Sequence, residues 1–564
     1  MRAQIGLVVG ILGWAFACGG DDAGGDGGGS SGTTTSGGTT SGGTTSGGNT
    51  SSGGSSGALE PPAVTCSGSG GSANVGAPTL RRALEGGEGW LASPAVVDLD
   101  GDGTPEIVAA RGGSVIAWSA DGTERFRYDT KKGRIWASPV VGDFTSDPGL
   151  EIAIAARDSV HLITANGSVV SGFPKTWADE IRTLAAGDVD GDGALDIVVG
   201  ARKDGGSPRD VVMAYHADGS TVTGFPPIAS GVSGCTSETC FPAGLYDQNL
   251  AIADLDGDGK QDLVLPHDNA YASFFKGSGA AFDANPMFRK RPKTPGVRYL
   301  HALADAQQGY ADDEDSANQA HFTNTAPAIA DLDGDGTREI IMLGSVQNAA
   351  QSDRLRGVGL WVVRADASRL PGWEQPFHVP RYVLGLSDGF ARELDGEPIE
   401  GASNLVGATN QVSIADVHAS PGLEIVFAGF DGRIHVVGAD GREVWSTAYA
   451  EDGRALTGGV AIGDLSGDGA PEIVFTTYSP DEGGGALWVL KSNGLVLHRI
   501  ALPGRGSMAV PTLADVDGNG SVEIVVALKD QGGIQIYDVA GATDQCLLWP
   551  TGRANLLRNG FVRN

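Results

Sequence analysis

An aspartate followed eight residues later by a second carboxylate recurs eight times along this chain, each time just before a β-branched or leucine-rich run. Four copies are complete. They are Asp98-Leu-Asp100-Gly-Asp102-Gly-Thr-Pro-Glu106, Asp188-Val-Asp190-Gly-Asp192-Gly-Ala-Leu-Asp196, Asp254-Leu-Asp256-Gly-Asp258-Gly-Lys-Gln-Asp262 and Asp331-Leu-Asp333-Gly-Asp335-Gly-Thr-Arg-Glu339. Two are lightly substituted, with Asp464, Ser466, Asp468 and Glu472 in one and Asp515, Asp517, Asn519 and Glu523 in the other. Oxygens at positions 1, 3, 5 and 9, with a backbone carbonyl near 7, can converge on one hard cation because glycine at position 6 permits the sharp turn. These 24 residues are the expected ligands of up to six calcium ions. An EF-hand closes its loop at position 12 between helices, whereas here the acid at position 9 opens an apolar strand such as Ile107 to Ala110. Asp-Gly pairs alone mark hairpin turns; six copies keeping the same oxygen positions favour a metal.

The other two copies, Asp143-Phe-Thr-Ser-Asp147-Pro-Gly-Leu-Glu151 and Asp416-Val-His418-Ala-Ser420-Pro-Gly-Leu-Glu424, replace ligands and place Pro148 or Pro421 where the turn glycine belongs. Both read as metal-free turns of the same shape, stiffened by Pro-Gly.

Around each loop one strand pattern repeats: an apolar run ending at the first aspartate (Ser93 to Val97, Ser138 to Val141, Ala326 to Ala330, Val510 to Ala514), a second strand after the loop and a third such as Ser114 to Trp118. A hairpin turn at Asp121-Gly122, Asn166-Gly167, Asp218-Gly219, Asp440-Gly441 or Asn493-Gly494 then leads to a fourth strand. Four antiparallel strands per repeat, first spaced 45 residues apart at Asp98, Asp143 and Asp188, are the signature of propeller blades. The expected fold is all-β, a β-propeller of eight four-stranded blades, with seven as the alternative count. Longer spacings after Asp188, Asp254 and Asp331 put insertions into blades three to five. An unpaired edge strand is an aggregation hazard, so the last blade is expected to take its outer strand from the segment near Thr79 to Ala83.

These loops and strands resemble the FG-GAP/VCBS repeat family, which includes the propeller of integrin α-subunits and many bacterial secreted proteins. The resemblance covers about Ala92 to Val539. It implies calcium in the loop between the first two strands of a blade, and a binding or scaffolding role without naming a ligand. Integrin propellers have seven blades where eight repeats are counted here, and the family's Gly-Ala-Pro landmark survives loosely, as in Ala326-Pro327-Ala328.

The formal charge of −30 argues against nucleic acid as a partner, and 22 of the carboxylates sit in the six metal loops. An apo protein of this kind repels itself, so calcium should be linked to stability. Met1-Arg2 and the apolar Ile5 to Ala17 stretch are too short to span a membrane and suit a signal peptide over residues 1–17. Ala15-Phe16-Ala17-Cys18 satisfies the small-x-small cleavage rule and is also similar to a bacterial lipobox, with Cys18 the lipidated residue. The Gly/Ser/Thr-rich linker over 18–60 favours the second reading, as a tether to a propeller over 61–564. The chain is thus expected outside the cytoplasm, held at an outer membrane or cell surface by a lipid anchor, or else freely secreted. Its expected partner there is a protein or polysaccharide, bound by a monomer.

Four cysteines follow Cys18. Cys235 and Cys240 bracket four residues and read as a local bridge, which leaves Cys66 and Cys546 to staple the two ends of the fold; two free buried thiols are the alternative. No catalytic set emerges. The nine histidines lack metalloprotease spacing and no phosphate loop occurs. Gly385-Leu-Ser387-Asp-Gly389 has no strand-to-helix elbow around it, His418 reads as a turn residue, and Asp440 to Trp445 matches a quinoprotein pattern that most other blades lack. The insertions are the candidate ligand loops: basic Met287 to Lys293, acidic Asp312 to Asp315, and Arg381 to Asn410. The competing function is a polysaccharide-degrading enzyme, since some lyases are built on similar calcium propellers.

Overall fold

The computed structural model describes Val64, Cys66, Ser67 and residues 74–563, except 178–179, 203–209, 236–242, 269–270, 287–292, 294–296, 299–318, 323–324, 348–356, 380–410, 419–421, 430, 451–454, 480–481 and 545. The expected N-terminal signal and linker, Cys18, Cys240, the basic and acidic islands apart from Lys293, the Ser387 motif and residues 381–410 lie outside the described residues.

Among the described residues, thirty-two strands form eight antiparallel sheets. Blade 1 is β2 (Ala95–Val97), β3 (Glu106–Arg111), β4 (Ser114–Ser119) and β5 (Glu124–Asp129), and blade 2 is β6 (Val140–Gly142), β7 (Glu151–Ala156), β8 (Ser159–Ile163) and β9 (Lys175–Thr176). Blade 3 pairs three strands among the described residues, β10 (Ile181–Gly187), β11 (Asp196–Ala201) and β12 (Val212–Tyr215), and keeps the start of a fourth as one bridge between Tyr215 and Thr221. Blade 4 holds β13 (Ala251–Ala253), β14 (Asp262–Pro266), β15 (Tyr271–Phe275) and β16 (Val297–Arg298). Blade 5 has five strands, because β17 (Gln319–His321) pairs with the extended end of β19 (Glu339–Gln347) beside β18 (Ala328–Ala330), β20 (Val358–Val363) and β21 (Phe377–Val379). Blade 6 is β22 (Ser413–Ala415), β23 (Glu424–Ala428), β24 (Arg433–Gly438) and β25 (Glu443–Ala448), and blade 7 is β26 (Val460–Gly463), β27 (Glu472–Thr476), β28 (Ala486–Leu490) and β29 (Val496–Ala501). Blade 8 joins β30 (Thr512–Ala514), β31 (Glu523–Ala527) and β32 (Ile534–Asp538) to β1 (Thr79–Leu84).

The eighth blade is therefore built from both ends of the chain, with Leu84 paired to Ile534 and Thr79 to Asp538. The inner strands follow one another around the axis, and β2 meets β30 to close the circle. Burial follows from that geometry. Second strands such as β3, β7 and β11 are buried along their whole length because sheets pack on both faces, while the outer strands β1, β5 and β29 keep an exposed face.

A propeller leaves the inward edge of each inner strand without a neighbour. Here the C-terminal tail supplies the missing partners. It enters at Cys546, whose carbonyl accepts from Asp464 N–H, and then passes from blade to blade around the axis. Ile462 N–H donates to Trp549 O at 2.8 Å, Leu513 N–H to Pro550 O at 2.8 Å, Val141 N–H to Leu556 O at 3.1 Å, Ala186 N–H to Leu557 O at 2.9 Å, Ile252 N–H to Asn559 O at 2.8 Å and Ile329 N–H to Gly560 O at 2.8 Å. Six inner strands thus have a central N–H satisfied by one 12-residue stretch, a run of bonds that a buried edge requires. Trp549, Arg553, Arg558 and Phe561 of that tail are buried. Cys66 is bonded to Cys546 at a Cα separation of 5.3 Å, which ties the N-terminal segment to the point where the tail enters.

Candidate metal centres and the two faces of the ring

The six acidic loops share one conformation. In each, the carboxylate at position 1 accepts backbone N–H groups of the loop itself: Gly101, Asp102 and Gly103 on Asp98; Gly191, Asp192 and Gly193 on Asp188; Gly467, Asp468 and Gly469 on Asp464. The same wrapping recurs at Asp254, Asp331 and Asp515. Both loop glycines take positive φ, as at Gly101 (75°) and Gly103 (89°), which is why this turn needs glycine at two positions rather than one. The closing acid at position 9 opens the second strand and is buried: Glu106, Asp196, Asp262, Glu339, Glu472 and Glu523 are each at most 2% exposed. One of its oxygens always accepts from the N–H at position 2, as Leu99 does to Glu106 at 3.0 Å and Leu255 to Asp262 at 2.9 Å.

Burial disfavours the ionised form of these acids. It pushes Asp262 up to about 8, and Asp196, Glu339, Glu472 and Glu523 up to about 7. Several of their oxygens also lack a directed hydrogen bond. Glu339 Oε1 has only Arg364 Nε, 3.4 Å off, and Asp517 Oδ1 in the blade 8 loop has none. The carboxylate oxygens of Asp98, Asp100 and Glu106, of Asp254, Asp256 and Asp262, and of Asp331, Asp333 and Glu339 each gather within 4.8 Å. An all-oxygen, multiply acidic set of this kind fits a hard divalent cation.

A feature hidden in the sequence is that most of these loops already face a cation from their own blade. Arg125 pairs with Asp100 and Glu106, Lys276 with Asp256, and Arg81 with Asp517 and Glu523; Arg364 pairs with Asp335 at 2.6 Å. His216 takes this place in blade 3, with Nδ1 2.8 Å from Asp196 Oδ1. The blade 7 loop, with Asp464, Ser466, Asp468 and Glu472, has no such pairing among the described residues, and its Asp464 and Ser466 are buried. In the blade 2 loop both oxygens of Glu151 are taken, Oε2 by Phe144 and Thr145 N–H and Oε1 by the Thr145 hydroxyl. Glu424 accepts from Val417 and His418 N–H in blade 6. The remaining cysteine candidate, Cys235, is disulfide-bonded, and its expected partner Cys240 falls outside the described residues.

The two ends of the ring differ in kind. The acidic loops and the third-to-fourth-strand hairpins share one face, where the Cys66–Cys546 bridge also lies beside the blade 7 loop. On the opposite face the chain leaves and re-enters the ring at Arg202 and Asp210, Gln347 and Gly357, and Val379 and Gln411. Around the axis there, Trp90, Leu91, Trp136, Leu456, Tyr478 and Met508 form one apolar cluster, and Trp90 meets Trp136 edge-on with centroids 5.6 Å apart. Arg134 lies 4.9 Å from both rings, exposed, with no hydrogen bond or ion pair among the described residues. Arg182 stacks over Trp136 at 4.2 Å and Tyr246 at 4.7 Å and is tied to Glu180 and Asp247, each at 3.3 Å. Sequence reading missed this rim because its residues come from connections of unrelated length.

Fold and loops together define an eight-bladed β-propeller with acidic loops between the first two strands of most blades. A family model described as FG-GAP-like repeat matches residues 188–265, which span the acidic loops of blades 3 and 4 in this propeller. Among solved structures it is similar to the V. cholerae biofilm matrix protein Bap1, at 15% identity over 86% of this chain and 96% of that one, with a TM-score of 0.38. It is also similar to rhamnogalacturonan lyase YesW, at 15% identity over 87% and 81%, TM-score 0.46, and to the Dos1 propeller, at 8% identity over 81% and 95%, TM-score 0.43. No curated protein sequence matches the chain.

Proposed function

We propose that this protein is a calcium-loaded binding module displayed outside the cytoplasm, which presents one face of a rigid ring to a protein or polysaccharide. The observation that carries this reading is the separation of the two faces. The acidic loops and the Cys66–Cys546 bridge lie on one, while the Trp90–Trp136 pair and the exposed Arg134 lie on the other. The disulfide suits an oxidising, extracytoplasmic compartment.

Each calcium ion lowers the repulsion within its loop and fixes the turn that joins the first two strands. The contribution of the chain is otherwise rigidity, since long loops on a fixed scaffold are where binding specificity resides. The guanidinium of Arg134 offers unused donors to a carboxylate or sulfate. A lyase on this rim needs a base within reach of the sugar. Calorimetry of calcium-loaded protein against acidic and neutral polysaccharides tests the reading. Saturable binding weakened by Arg134→Ala supports it, and formation of unsaturated sugar products would establish the lyase alternative.

A further inference from the structure

Blades 3, 4 and 5 place His216, Lys276 and Arg364 at one equivalent position, the last residue before the hairpin turn. In each the backbone N–H closes the hairpin, His216 to Ser220 O at 2.9 Å, Lys276 to Ala280 O at 2.8 Å and Arg364 to Ser368 O at 3.0 Å. Each side chain turns onto the acids of its own metal loop. Their chemistry is not equivalent. An ammonium or a guanidinium is a donor only and can do no more than neutralise the acids, whereas a neutral imidazole carries a lone pair that can bind a metal directly.

In blade 3 that imidazole is embedded among potential ligands. Its Nδ1 lies 2.8 Å from Asp196 Oδ1 and its Nε2 3.9 Å from Asp190 Oδ2, and ligand atoms of Asp190, Asp192 and His216 gather within 4.8 Å of one another. Asp196 is 1% exposed. Its Oδ2 accepts from Val189 N–H, but Oδ1 has no properly directed hydrogen bond despite the nearby ring, which leaves a buried oxygen aimed into the site.

We infer that the blade 3 loop is a mixed nitrogen–oxygen site for a borderline divalent ion of the zinc class, held by His216 with Asp190, Asp192 and Asp196, and differs in metal preference from the other loops. Imidazole suits zinc and its neighbours, while calcium takes oxygen ligands. The inference rests on reading these loops as metal sites but not on calcium filling the others.

The test is calorimetric titration of zinc chloride into full-length, chelator-stripped protein resaturated with calcium, alongside His216→Gln and His216→Lys. The second variant recreates the blade 4 arrangement, and His216 is partly exposed, so both should fold. Circular dichroism and calcium stoichiometry confirm that. The expected result is one zinc-binding event in the parent protein that excess calcium does not displace, lost in both variants while calcium binding elsewhere persists. Calcium binding without such an event, or a zinc event that survives in both variants, overturns the inference and leaves the calcium reading intact. Failure of any loop to bind calcium, with His216-dependent zinc binding still present, would overturn the calcium reading alone.

Discussion

Arg558, six residues from the end of the chain, donates to the main-chain carbonyl of Pro94, 2.9 Å away and 464 positions earlier. The same guanidinium reaches Ser93 O, Pro139 O, Gly552 O and the Thr551 hydroxyl, so it links blades 1 and 2 to the tail. Neither Arg558 nor Arg553, which donates to Leu184 O at 2.6 Å and to Leu250 O, has a carboxylate partner among the described residues. Main-chain carbonyls take that part. The C-terminal tail is thus a structural hub joining blades that are distant in sequence.

Truncating Arg558 strands several buried carbonyls at once. Arg558→Ala should lower stability by roughly 2–4 kcal/mol, since each unsatisfied buried polar group costs about 1–3 kcal/mol. Arg558→Lys should recover little of this because an ammonium lacks the planar fork. Urea unfolding measures the effect, and a midpoint unchanged in Arg558→Ala would show that the tail is ornamental.

The disulfide pins the entry of that tail. Its two cysteines are 480 positions apart, and a bridge closing so long a loop contributes roughly 2–5 kcal/mol when native geometry is unstrained. Cys66→Ser should speed hydrogen exchange at Ile534–Asp538 and at Val96 to Leu99 before the middle blades are affected. Uniform loosening around the ring would indicate that closure does not depend on this seam.

The blade architecture was legible in the sequence because its signals are local. Asp98 to Glu106 spells out a turn, a ligand set and the start of a strand within nine residues, and the 45-residue spacing gave the unit. The pairing of Thr79 to Leu84 with the last blade was legible too, since the final repeat lacks its fourth strand. The tail was not. Cys546 to Val562 has no periodicity, and what it supplies is backbone carbonyls, which every residue has. The braces Arg125 and Arg81 were equally hidden, because a fourth-strand arginine reads as an exposed outer residue until strand pairing brings it over the loop.

His161 should make stability depend on pH. Burial lowers its pKa to about 4, and the neutral ring is held between Tyr128 and Ser159, at 2.8 Å on each nitrogen. Because Ser159 already donates to Ala156 O, Nε2 carries the proton and Nδ1 accepts from the Tyr128 hydroxyl. The unfolded chain takes up a proton near pH 6.5 and the folded one only near 4, so this contribution is complete above 6.5 and is lost as pH falls through the window. Comparing the pH dependence of unfolding for the parent and His161→Gln isolates it. Parallel curves between pH 4 and 6.5 would refute the assignment.

Metal stoichiometry should separate intact loops from degenerate ones. Asp464→Ala, in the loop without a competing cation, should remove one calcium ion, whereas Asp416→Ala should remove none, since that loop has no carboxylate at positions 3 and 5. Calcium counting by mass spectrometry of dialysed protein decides this, and loss of an ion from Asp416→Ala would show that the degenerate loop is occupied.

The most direct test of the account is thermal unfolding of the full-length protein across free calcium concentrations, starting in excess chelator. Each site that binds only the folded state adds about 2.7 kcal/mol when calcium reaches ~100 times its dissociation constant. The melting temperature should therefore climb steeply with calcium, and the rise should be smaller in a variant carrying Asp98→Ala and Asp254→Ala together. A melting temperature that is the same in excess chelator and in millimolar calcium would contradict the claim that these loops are structural calcium sites.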